Sequence, residues 1–332
     1  MNWKSIFLAT AALVLLLQGS GKADLVVFGD SLSDVGNTAD ATFGAIPSSS
    51  DGYFQGRFTN GNVWVEHLAG YLGESVPTSS RNGGKNFAHG GAQVLDSGLL
   101  RPSLTEQVSG LGSANGGDLY VIWAGGNDLL SVDLDTSIDA QRLRSRQVAA
   151  GINANIDTLY ALGARRFLVL NLPDLGATPL TQVRETSDNI QDLSDLTINF
   201  NRELAQEMRK ARDDNNAIEI TEIDVHGIFE DLMANPGAFG LSNVTDSATP
   251  FDPDGSAFFP AGLATDLPGA GINPDEYLFY DGLHPTARAH ELLATRVASV
   301  MSVPEPSHFM VLSMGAVVFA AYCFRRRRRE DR

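Results

Sequence analysis

Leu25-Val26-Val27-Phe28-Gly29-Asp30-Ser31-Leu32-Ser33-Asp34-Val35-Gly36-Asn37 is the stretch on which the reading of the whole chain turns. Four apolar residues run without alternation, the pattern of a strand buried on both faces of a parallel sheet. Gly29 ends the run, and small and polar residues follow. In open α/β sheets, ligands and catalytic groups collect at the carboxyl ends of strands. Ser31 stands at such an end and is a candidate nucleophile. A serine hydroxyl is a weak nucleophile at neutral pH unless a base takes its proton. The same residues also suit a plain strand-to-helix loop in which Ser31 or Asp34 caps a helix. The chemical reading therefore needs a base, a group to orient it, and donors for a developing oxyanion.

Outward from this stretch, apolar strands alternate with amphipathic helices. Val63, Trp64, His67, Leu68 and Tyr71 recur at helical spacing and stop at Gly73. Asn86-Phe87-Ala88 reads as a short strand, and Asp118 to Trp123 as a clear one. A long helix is expected over Ala140 to Leu162, with Leu143, Val148, Ile152, Ile156 and Leu159 on one stripe. A strand over Arg166 to Asn171, a helix over Asn189 to Asp213 and a strand over Ala217 to Ile223 follow. Short and final helices are expected over Val225 to Met233 and His284 to Val300. Such alternation predicts an α/β domain with a mostly parallel sheet covered on both faces. The pattern fails between Asn235 and Tyr280, a segment rich in Gly, Pro, Asp and Phe. Long irregular segments inside compact domains usually serve a function, and this one is expected to be a surface excursion near the site.

Four pieces fall at strand ends or in the last loop. They are Ser31, Gly90-Gly91, Gly125-Gly126-Asn127-Asp128 and Asp281-Gly282-Leu283-His284-Pro285. Asp281 and His284 sit three apart in a turn bracketed by Gly282 and Pro285, so both side chains can point into one pocket. His284 is then placed to accept the Ser31 proton while Asp281 orients its ring. Each piece alone has a plainer reading: Asp281 as a helix cap, Asn127 as a turn residue, the glycine pairs as tight turns.

Taken together, the four blocks resemble the GDSL family of SGNH hydrolases, in the branch of bacterial lipase- and phospholipase-like esterases. Gly29 to Asn37, Asn86 to Ala92, Gly125 to Asp128 and Asp281 to Pro285 match the first, second, third and fifth family blocks. Gly56-Arg57-Phe58-Thr59-Asn60-Gly61-Asn62-Val63-Trp64 also looks like a segment common in that branch. The resemblance implies a flavodoxin-like three-layer α/β/α sandwich. It implies a triad of Ser31, His284 and Asp281, and an oxyanion hole from the N–H groups of Ser31 and Gly91 and the Asn127 amide, with Gly90 the less favoured glycine. It further implies ester hydrolysis without cofactor or metal. His89 departs from the small or apolar residue usual in the second block and reads as a polar neighbour of the site or a pocket-lining residue. The absence of a Gly-x-Ser-x-Gly elbow argues against an α/β-hydrolase.

Both chain ends read as addresses. Residues 1–23 carry Lys4, an apolar run from Ile6 to Leu17 and small residues up to Ala23, the pattern of a secretory signal. Residues 303–332 carry Val303-Pro304-Glu305-Pro306, an uncharged stretch from Phe309 to Phe324, and five arginines from Arg325 to Arg329. This end resembles the PEP-CTERM sorting signal, with a transmembrane helix and an exosortase-type membrane protease as the implied partner. Residues 24–302 remain as the hydrolase domain, exported to the envelope or beyond it in a Gram-negative bacterium. That domain holds 16 basic against 37 acidic side chains. The whole chain carries a formal charge of −16, which disfavours nucleic acid as a partner. The single cysteine, Cys323, lies in the terminal stretch. The domain therefore has no disulfides, thiol nucleophile or zinc–thiolate site, and its core must hold it together. The expected substrate is an ester, whether a lipid, a short-chain ester or an acetylated glycan. An acyltransferase on the same fold, or a non-catalytic matrix- or surface-binding protein, are the other readings. The binding protein has no use for intact Ser31, Asn127, Asp281 and His284 together.

Overall fold

A computed structural model of the chain describes residues 23–255 and 261–302. The expected leader and sorting segments lie outside the described residues. Strand β1 is Leu25–Gly29, β2 Leu119–Trp123, β3 Arg166–Leu170 and β4 Glu219–Ile223. They pair in parallel in the order β1-β2-β3-β4. All five residues of β1 and of β2 are buried, as unbroken apolar runs require when both sheet faces are covered.

The Asn86 segment adds to the outer side of β1. Val27 and Asn86 form a parallel bridge, Phe87 N donates to Val27 O at 2.7 Å and His89 N to Gly29 O at 3.2 Å. The expected strand over Asn86–Ala88 is thus an extended edge too short to form a regular ladder. Counting it, the sheet runs 2-1-3-4-5 in chain order, the flavodoxin-like arrangement. The order reverses between β1 and β2, and that crevice is where such folds bind ligands.

Two helix pairs flank the sheet. Ile138–Leu162 packs on Ser187–Asp214, and Trp64–Leu72 on Ala287–Ser302. Each long helix starts where a side chain satisfies an orphan first-turn amide: Ser137 receives Ala140 N and Thr186 receives Asn189 N. Trp64 Nε1 donates to Ser33 Oγ at 3.0 Å, and its ring meets Trp123 edge-on at 5.7 Å. The Trp64–Leu72 helix is thereby fixed to the loop after β1.

The last helix starts at Ala287, not at the expected His284. Pro285 disfavours helical backbone at the residue before it, so His284 stays in the loop. The segment Asn235–Tyr280 is less irregular than its composition suggests. Asn243–Ser247 (β5) pairs in parallel with Tyr277–Phe279 (β6). Residues near Ala248 and Gly262 then bind back onto the loop that follows β6. Expected as an excursion near the site, the segment forms, in its described residues, a strap against it. Among the described residues no helix is long and apolar enough to cross a membrane.

Candidate active site

Gly29 must be glycine for a reason of space. A Cβ built there falls 2.2 Å from the Trp123 carbonyl oxygen. The chain can therefore leave β1 pressed against β2 and deliver Ser31 into the crevice. Gln107 completes this strand end from the side: its amide accepts from Gly29 N and donates to Gly29 O, each at 2.9 Å.

Beyond Ser31, a buried polar lattice ties the first block to the second. Asp34 Oδ1 accepts from Gly36 N and Asn37 N, and Oδ2 accepts from Thr38 N and Gly90 N. Asn37 Nδ2 donates to the carbonyls of Asn86 and Ala88. Asn86 Nδ2 donates to Ser33 O at 2.7 Å. All three side chains are fully buried, and buried polar groups must be paired in this way.

The loop after β6 brings the other half of the site. His284 Nε2 lies 2.8 Å from Ser31 Oγ, and His284 Nδ1 lies 2.8 Å from Asp281 Oδ2. Asp281 Oδ1 accepts from the backbone N–H groups of Leu283 and His284 at 2.8 and 2.7 Å. The turn thus holds the carboxylate while the carboxylate holds the ring. Phe58 lies against the imidazole with centroids 5.2 Å apart. The Gly56–Trp64 segment buttresses the same loop: Thr59 Oγ1 donates to Pro285 O, and Asn60 Oδ1 accepts from Ala287 N, each at 2.8 Å.

The two glycines of the second block are not equivalent. Gly90 N–H is committed to Asp34 Oδ2 and to Thr38 Oγ1 at 2.7 Å, and a Cβ there falls 2.2 Å from the Phe58 ring. For Gly91 N–H no acceptor is found among the described residues. Gly91 and Asn127 line one cleft with Ser31 and His284. Asn127 Nδ2 donates to Ala92 O at 3.0 Å, which orients the amide and leaves its second N–H unspent. His89 is a neighbour and not a lining residue: its Nδ1 is 2.9 Å from Phe87 O, and it faces neither cleft that opens on Ser31.

Ser31, Asn127, Leu283 and His284 are shared by two clefts. One, of about 510 Å³, is walled by Leu172, Phe229, Met233 and Phe279. The other, of about 400 Å³, is walled by Ile46, Phe58, Leu100 and Leu263. Asp30 faces the first. Burial drives its carboxyl up to about 7, opposed by the Leu32 N–H bond and by His284. Among the described residues no cluster of three or more potential ligands is placed to hold a metal ion.

Several supporting residues escape a search for reactive types. Asp34 reads as a candidate helix cap, Asn37 as a loop residue and Asn86 as part of a short strand, and only their shared burial reveals the lattice. Asp128 reads as part of a turn, but its buried carboxylate accepts from Val94 N at 2.7 Å and carries the chain past the site. Tyr53 gave no signal in the sequence.

The serine, imidazole and carboxylate thus stand in one hydrogen-bonded line at the switch point of an α/β sheet, the arrangement that serine hydrolases use. Residues 25–297 match the model of the GDSL-like lipase/acylhydrolase family, and the chain belongs to that family. A phosphatidylcholine-sterol acyltransferase of Aeromonas hydrophila is 28% identical over 92% of this chain and 88% of its own. The esterase EstA of Pseudomonas aeruginosa is 30% identical over 84% of this chain, a region spanning 47% of that longer protein. A solved carbohydrate acetylesterase from Sinorhizobium meliloti covers 85% of this chain and 99% of its own at 14% identity, with a TM-score of 0.43.

Proposed function

We propose that the protein is an exported serine esterase that hydrolyses carboxylic esters through Ser31, His284 and Asp281. The observation that carries this is the 2.8 Å approach of His284 Nε2 to Ser31 Oγ, with Asp281 behind the ring. Ser31 Oγ attacks the ester carbonyl and its proton passes to His284. The oxyanion then lies among the N–H groups of Ser31 and Gly91 and the Asn127 amide. A well-placed donor of this kind contributes about 3 kcal/mol to the transition state. His284 returns the proton to the leaving alcohol, and the acyl-enzyme is hydrolysed by the same steps with water.

Apolar walls on both sides of Ser31 favour an ester that is apolar on either side of its carbonyl. An acetyl group on a polar glycan makes less use of them. The test is hydrolysis of a p-nitrophenyl ester chain-length series by the purified protein, beside Ser31→Ala. Rates are expected to rise from acetyl to longer chains and to vanish in a folded Ser31→Ala. Turnover by that variant at the wild-type rate ends the assignment.

Acyl transfer to an alcohol is the second reading, favoured by the relative named as an acyltransferase and by the cleft beside the acyl site that would seat an acceptor. Alcohol esters formed when apolar alcohols are added would mark it. Export, and processing by an exosortase-type membrane protease, rest on residues 1–23 and 303–332 alone.

A further inference from the structure

Tyr53 lies behind the Ser31–His284–Asp281 line and has no place in the reaction as described. It is 3% exposed and faces neither cleft that opens on Ser31. Its hydroxyl is 2.5 Å from Asp281 Oδ2, the carboxylate oxygen that also lies 2.8 Å from His284 Nδ1. The same hydroxyl accepts from Ala264 N at 2.7 Å. Burial, reinforced by Asp281, holds the phenol far above its ordinary range. Tyr53 therefore keeps its proton and donates. Edge-on rings of Phe58 and Tyr280 fix its orientation.

Ala264 belongs to the strap, which is itself pinned to the Asp281 turn on both sides. Thr249 N donates to Tyr280 O at 3.0 Å, and Gly282 N donates to Gly262 O at 2.8 Å. One hydroxyl, three residues ahead of the Gly56–Trp64 segment, thus joins the strap to the carboxylate. A donor on Oδ2 competes with the imidazole for the same negative charge. Buried hydrogen-bond chains of this kind act as networks rather than as separate pairs.

We infer that Tyr53 is a fourth, positioning member of the site, which locks Asp281 to the strap and tempers the basicity that Asp281 confers on His284. The inference rests on the serine-esterase reading above. The Tyr53 hydroxyl withdraws charge from Oδ2, so its loss leaves a stronger partner for the imidazolium. The acid limb of kcat/KM against pH then moves to higher pH. Asp30 and His290 also couple by charge to His284, Tyr280 couples by charge to Asp281, and Arg101 lines the cleft. None of these is altered by removing the Tyr53 oxygen.

The experiment compares the full pH profile and melting temperature of wild type, Tyr53→Phe and Tyr280→Phe on one p-nitrophenyl ester. Tyr280 is the control, since its hydroxyl donates to Asp51 O and not to Asp281. Tyr53→Phe is expected to lose roughly tenfold in kcat, the worth of one hydrogen bond to a charged group. KM should hardly change, and the acid limb should move to higher pH. Tyr280→Phe should leave the limb where it is. If Tyr53→Phe melts below the assay temperature, 3-fluorotyrosine at position 53 keeps the shape and donates more strongly. The limb must then move to lower pH. A fall in activity with an unmoved limb, or an equal shift in both variants, shows that Tyr53 only packs and overturns the inference. Full activity in Ser31→Ala instead overturns the esterase reading beneath it.

Discussion

Asp30 shares a peptide bond with Ser31, yet its side chain obeys different physics. It is 2% exposed and faces an apolar cleft, so burial favours its neutral form and lifts it from 3.8 to about 7. The sign follows from linkage. Folded protein holds this proton more tightly than unfolded chain, so stability is lost as pH rises from about 4 to about 7. The loss is on the order of 4 kcal/mol once both states are ionised. Asp30→Asn keeps an acceptor for Leu32 N and removes the titration. Its melting temperature is expected to exceed that of wild type by a margin that widens from pH 4 to pH 8. A margin independent of pH would contradict the burial argument. Gly90 makes the complementary point. A glycine pair was visible in the sequence, but only the bonds to Asp34 and Thr38 explain why Gly91 is the better candidate for the oxyanion.

The helices Trp64–Leu72 and Ala287–Ser302 show how an element is placed by its ends. Trp64 N is an orphan amide of a first helical turn, and it donates to His290 Nδ1 at 3.2 Å across the helix interface. Only an unprotonated ring nitrogen can accept. Burial, with His67 and His284 nearby, pulls His290 down to about 3. The unfolded chain protonates this ring below about 6.5 while the folded chain resists, so stability falls as pH drops from about 6.5 to about 3. The loss approaches 4–5 kcal/mol at the lower end on the same arithmetic. His290→Asn offers a non-titrating acceptor. Urea midpoints measured from pH 7 to pH 4 should fall less steeply in that variant, and parallel slopes would remove His290 as the cause. Ala287, the first residue of the second helix, also donates to Asn60 Oδ1 beside the loop of His284, so acid loosening reaches the site through an element and not through the triad alone.

At the scale of the molecule, the sheet sets the site and the charge sets the company. Residues 24–302 carry 37 acidic against 16 basic side chains, an excess of negative charge that anionic lipid repels. The proposal that residues 1–23 and 303–332 are export signals has a physical outcome. Protein recovered from the envelope or medium of producing cells should begin at Asp24 and lack the Arg325–Arg329 cluster by intact mass. A full-length mass confined to the cytoplasm would refute export.

The sequence by itself determined the class of fold, the four strands of the main sheet with the long helices between them, and the four blocks that meet at Ser31. Local physics suffices for these. Unbroken apolar runs need a covered parallel sheet, helical stripes need a face to bury, and Gly or Pro ends each element. It did not determine where the last helix begins, that the described residues of Asn235–Tyr280 form a strap, or what ties up the N–H of Gly90 and leaves that of Gly91 unspent. Tyr53 was equally hidden, because it lies 228 residues from Asp281 along the chain. Hydrogen bonds between distant segments have no periodicity and leave no local pattern. Their partners exist only after the sheet has formed at its switch point, and so the tertiary structure alone decided them.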